Sequence, residues 1–122
     1  MRERLKEYYK LGARFTKWRA VYKISNKFPS NAAIVSNAHS LARYAALVQE
    51  ANMVPIVEPE VLMDGNHDIQ NVMMLPLVFY MMFNQLKIAK VKLEGIVLKP
   101  NMILNGSSSG IKNETAMVAA KL

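Results

Sequence analysis

The chain has 122 residues, 52% of them apolar, a formal net charge of +7 and no cysteine. That apolar fraction excludes wholesale disorder. Having no cysteine excludes disulfides, thiolate zinc sites and cysteine nucleophiles, and is compatible with a reducing, cytoplasmic home. The length suits one domain but falls short of the roughly 250 residues of a closed (β/α)8 barrel.

The charge is uneven: residues 1–27 hold nine Lys/Arg against Glu3 and Glu7, which is the whole excess. A basic segment can be a nucleic-acid patch. Here it divides into a helix face and a strand, without the density of a binding tail, so no nucleic-acid partner is expected. MRERLKEYYK is too polar for the apolar region of a signal peptide.

Residues 2–11 read as a helix with Leu5, Tyr8 and Tyr9 on one side, and Gly12 fits its C-cap. Residues 13–24 read as a strand. One parity carries Thr16, Trp18, Ala20, Tyr22 and Ile24; the other carries Phe15, Lys17, Arg19 and Val21, so Lys17 and Arg19 share a face. Alternating helices and strands favour a parallel sheet covered on both faces. Two cations on one such face require an anionic partner or ligand.

Ser30 is a candidate N-cap for a helix whose Ile34, Ala38, Leu41, Ala45 and Val48 form one stripe, with His39 off it and exposed. Asn52 ends that helix. Val54 to Val57 form a short buried strand, continued by Glu58-Pro59-Glu60, with two carboxylates on one side and a proline ending the ladder. The loop Asp64-Gly65-Asn66-His67-Asp68 opens like a calcium loop. Ile69 and Leu75 stand where that motif needs Gly and Glu, so a polar turn and no metal is the reading.

Residues 69–88 are helix-like, with Pro76 expected to kink or interrupt the helix. The apolar run Val72 to Phe83 spans 12 residues, too short to cross a bilayer, which takes about 20. Burial against the sheet is expected, with no membrane partner. Residues 93–98 make a third strand, Gly106 to Gly110 a flexible loop, and a last helix begins near Asn113. The sequons at Asn105 and Asn113 carry little weight without a secretory route.

Lys17, Glu58 and Lys99 follow one another at intervals of 41, a plausible length for a strand-loop-helix-loop unit. Three such units would raise all three residues to the carboxyl edge of a parallel sheet, where α/β proteins place their chemistry. Basic, acidic, basic is the outline of an amine nucleophile with proton-transfer partners. The same trio can equally be ion-paired rim residues.

GARFTKWRAVYKI, LARYAALVQEANMVPIVEPEVLMDGNHDI and LEGIVLKPNMILNG together resemble class I fructose-bisphosphate aldolase, in that family's order. VPIVEPE and VLKPNM are its most specific signatures here. The resemblance implies a partial (β/α)8 TIM barrel, about strands four to six, with three parallel strands and flanking helices. It implies cleavage of fructose 1,6-bisphosphate to dihydroxyacetone phosphate and glyceraldehyde 3-phosphate through a lysine Schiff base, with no metal or other cofactor. Lys99 would be the Schiff-base lysine, Glu58 the main proton-transfer group and Lys17 its catalytic neighbour. Arg19 would bind the substrate's phosphate end and Glu60 would hold the cations in place. The full-length family is expected to be homotetrameric. The alternative is an inactive remnant or a basic interaction module.

Overall fold

A computed structural model describes residues 1–115 and Val118 of the chain. Helix α1 (Arg2–Lys10) leads to strand β1 (Phe15–Tyr22), helix α2 (Asn31–Glu50) to strand β2 (Val54–Val61), and helix α3 (Leu75–Ile88) to strand β3 (Val97–Leu98). The strands lie in the order β1-β2-β3, all parallel. The helix expected from near Asn113 lies mostly outside the described residues.

All three helices stop in the same way. Past each C-cap, one residue with positive φ (Gly12 at 99°, Asn52 at 59°, Lys90 at 55°) turns the chain back. The next N–H then reaches the carbonyl five residues earlier: Ala13 to Tyr8, Met53 to Val48, and Val91 to Leu86. This paired closure satisfies carbonyls the helix leaves open. At the other end of α2, the Ser30 hydroxyl accepts from the Ala33 N–H at 3.2 Å, as its position before the stripe requires.

The predicted stripe of α2 is buried in full, together with Ala42 and Tyr44. It packs on one face of the sheet, against Ala20, Tyr22, Val57 and Val61. The tyrosine hydroxyl of Tyr44 meets the Thr16 hydroxyl at 2.7 Å behind β1. Helix α3 buries Leu75, Val78, Met82 and Leu86, chiefly on α2 and only slightly on β2, so the apolar run is covered by a helix more than by the sheet. Pro76 neither kinks nor interrupts α3. It lies in the first turn, where a missing N–H costs nothing, and a short 3-10 turn over Asn71–Met74 precedes it.

The sheet differs from expectation in two ways. Among the described residues only one face carries helices; the face of Phe15, Lys17, Arg19 and Val21 stays open, and Phe15 is 65% exposed. Pro59 also ends the ladder on one side only. The Val57 carbonyl accepts from Lys99 N–H at 2.9 Å and the Val61 N–H also points toward the β3 side. Alternate residues of a strand face the same neighbour, so the nitrogen of Pro59 faces β3 as well. Pairing with β1 therefore runs through Pro59↔Ala20 to Val61↔Tyr22, while β3 has two residues rather than six. Upstream of β3, both amide atoms of Gln49 take the backbone of Lys92, at 2.8 and 2.9 Å, and Leu93–Gly95 forms a 3-10 turn.

Beyond the strands, the loop after β3 is docked. Gly106 N–H donates to His67 O, Ser107 N–H to Met63 O and Ser108 N–H to Gly65 O, at 2.7–2.8 Å. Gly106 is required there, because a Cβ would stand 2.3 Å from the Gly65 carbonyl oxygen. Buried Asn105 accepts from the Ile69 N–H and donates to the Asn113 side chain. His67, read as part of a polar turn, is buried beneath this contact.

Candidate active site

The open face of the sheet is divided along the strands. Phe15, Val54, Ile56 and Val97 occupy its amino-terminal half, as their register and parity require. Arg19, Glu58, Glu60 and Lys99 occupy the half toward the carboxyl ends, and Lys17, level with Ile56, reaches that half with its side chain. The five residues singled out in the sequence thus gather on one surface.

Their pairing is regular. The Lys17 ammonium lies 2.9 Å from Glu58 Oε2, and the Arg19 guanidinium 3.2 Å from Glu60 Oε2. In register, Lys17 stands beside Ile56 and Arg19 beside Glu58. Each cation therefore reaches two residues up the neighbouring strand to its acid. Lys99 follows the Val57↔Leu98 pair by one position, level with Glu58, and its ammonium donates to Glu58 Oε1.

The 41-residue spacing does not put the three groups at one height. Between β2 and β3 the register is 41, from Ile56 to Val97. Between β1 and β2 it is 39, from Phe15 to Val54. Lys17 is consequently the third residue of β1, low in its strand, and only its long side chain brings the charge to Glu58. Lys99 is already past the end of β3.

The electrostatics centre on Glu58, whose side chain is 4% exposed while those of Lys17 and Lys99 are 50% and 57% exposed. Its carboxyl is held below the ordinary carboxylate range by the hydrogen bond from Lys99 first; burial opposes this, and Lys17 adds to it. Burial opposes it only in part, because the carboxylate is screened by its immediate neighbours and not by a thick layer of protein. Three cations against two carboxylates leave one net positive charge on the face. Such a surface suits an anionic ligand, with an amine at its exposed rim and a carboxylate beneath.

Among the described residues, no three His, Asp or Glu side chains gather as a metal site. Sequence reasoning missed Asn101, whose Oδ1 accepts from the Val61 N–H at 2.9 Å. It also missed Asn105. The available signal was an asparagine directly after Lys99-Pro100, where a strand loses its donor and a short polar side chain can replace it.

The model of the family described as fructose-bisphosphate aldolase class-I matches residues 1–122. The chain is 52% identical to a fructose-bisphosphate aldolase of Dictyostelium discoideum over 113 residues, 90% of this chain and 32% of that protein. It is 50% identical over 118 residues to a cytosolic fructose-bisphosphate aldolase of Arabidopsis thaliana, 96% of this chain and 30% of that one. A solved structure of the Plasmodium falciparum aldolase, in complex with TRAP and a small-molecule inhibitor, superposes with a TM-score of 0.90 at 41% identity, covering 99% of this chain and 37% of that one. The chain spans about a third of the length of the curated relatives it matches.

Proposed function

Because this chain belongs to the class-I fructose-bisphosphate aldolase family, with its three parallel strands an arc of the (β/α)8 barrel, we propose that it carries the imine-forming lysine of an aldolase. The reaction is the reversible cleavage of fructose 1,6-bisphosphate, a sugar bisphosphate, in glycolysis and gluconeogenesis. Lys99 is the amine, Glu58 moves protons, Lys17 is the second cation at the reacting centre, and Arg19, held in place by Glu60, binds a phosphate end. We further place the protein in the cytoplasm, as the naming of the Arabidopsis relative suggests, in a homotetramer of full-length chains.

The observation that carries this reading is one buried carboxylate shared by two exposed ammonium groups. A carboxylate shared by two ammonium groups supplies a working cycle. The Lys99 ammonium first gives one proton to Glu58, on which it sits; the amine so freed attacks the substrate carbonyl, and a proton passes from nitrogen to oxygen to give a carbinolamine whose nitrogen is neutral. Glu58 then has no cation on Oε1, so it holds the proton it received. That proton goes to the carbinolamine hydroxyl, which leaves as water as the C=N bond forms. The iminium cation restores a positive charge beside the carboxylate and favours its ionised form again. Each chemical state thereby prepares the next proton position.

The test is borohydride reduction in the presence of dihydroxyacetone phosphate, followed by peptide mapping, on the wild-type chain and Lys99→Met. Whatever label forms maps to Lys99 and is absent from the variant. Trapping by these 122 residues alone is expected to be weak and cleavage unmeasurable, since cleavage needs both phosphates held in place. Label on another lysine, or equal labelling of Lys99→Met, refutes the assignment.

A further inference from the structure

Lys99 lies in a segment with little backbone support. Pro59 presents no N–H toward it, and Pro100 has none to offer. The strand pairing ends with the bond from Lys99 N–H to Val57 O at 2.9 Å. The next donor on that side of β2 is Val61 N–H, and it is taken by the side chain of Asn101, Oδ1 at 2.9 Å. The same amide donates from Nδ2 to the Met102 carbonyl at 2.9 Å, which fixes its orientation. One side chain thus bridges the gap the two prolines leave in the ladder. Lys99 sits between two tethers to β2, one before it and one after.

We propose that Asn101 is a positioning residue, which holds the Lys99–Pro100 segment on β2 and so keeps the Lys99 ammonium on Glu58. The side chain of Lys99 is 57% exposed, so its own packing restrains it little. With the tether at Asn101 gone, the backbone of the segment has, among the described residues, no bond to β2 beyond Val57, and the ammonium departs from the carboxylate. This deepens the reading of Lys99 as the reacting amine, yet the test needs no substrate. Label on a lysine other than Lys99 would overturn that reading and leave this one standing.

The experiment is a carbon-13 titration of the Glu58 carboxyl in the wild-type chain, Asn101→Ala and Gln49→Ala. Gln49 tethers the other end of the same segment, at Lys92, and serves as the control for general loosening. The Glu58 midpoint is expected to move upward in Asn101→Ala and to stay in place in Gln49→Ala. An unmoved midpoint in Asn101→Ala, or an equal shift in both variants, overturns the proposal. Should Asn101→Ala fail to fold, amide exchange in the wild type decides. A protected Val61 N–H supports the tether, and one that exchanges as freely as an exposed amide removes it.

Discussion

Replacing Asn105 by alanine should cost the chain about 2–3 kcal/mol. The side chain is buried, at 3% exposure for the residue, and its Oδ1 accepts from the Ile69 N–H at 2.7 Å. Alanine strands that N–H in a site where Ile69 is itself 5% exposed, and an unsatisfied buried donor costs about 1–3 kcal/mol. Losing the 2.9 Å bond to Asn113 Oδ1 adds less, about 0.5 kcal/mol. That acceptor keeps the Asn105 N–H at 2.7 Å, and Asn113 is exposed. For urea slopes of about 1–3 kcal/mol per molar, the unfolding midpoint should fall by about 1 M. Urea titration followed by circular dichroism measures the loss, and amide exchange at Ile69 locates it. A loss under about 1 kcal/mol, or unchanged exchange at Ile69, would refute the assignment of Asn105 as the staple between the two loops.

Three further outcomes are expected. The folded Glu58 carboxyl lies below its unfolded value, so its contribution to stability is full above the ordinary carboxylate range of about 4 and is lost as pH falls through the folded value. Urea unfolding across acid pH should show Glu58→Gln with a shallower acid limb than wild type; identical limbs would contradict the pairing. Lys90 holds φ at 55°, a strain of about 1–2 kcal/mol for a residue with a Cβ, of which glycine's backbone entropy returns about half. Lys90→Gly should therefore stabilise by about 0.5–1 kcal/mol, and a lowered urea midpoint would contradict the shared helix ending. In Gly106→Ala, the clash with the Gly65 carbonyl should cost about 1–3 kcal/mol and expose the Ser107 and Ser108 amides to exchange; protection equal to wild type would show that the loops are not in contact.

Much of this protein is legible along the chain because the information is local. The repeat of Ile34, Ala38, Leu41, Ala45 and Val48 states which side of α2 is buried, and Ser30 and Gly12 mark where helices begin and end. Alternation in β1 places Lys17 with Arg19, and alternation in β2 places Glu58 with Glu60, on common faces before any partner is known. The VPIVEPE and VLKPNM segments carry the family. Register is different in kind. The offset of 39 residues between β1 and β2, against 41 between β2 and β3, arises from how loops and helices of unequal length close, and no residue announces it. It decides that Lys17 reaches upward to Glu58 while Lys99 meets it level. Tertiary structure likewise decides which neighbour the nitrogen of Pro59 faces, and hence that β1 pairing survives while β3 is short. The burial of His67 and the docking of the Gly106 loop depend on contacts about 40 residues apart, between segments that read as polar and free when each is taken alone. A hydrogen-bonding pattern written in period 2 or 3.6 is visible in the residues themselves; one that depends on which distant backbone group lies opposite is set only when the chain has closed.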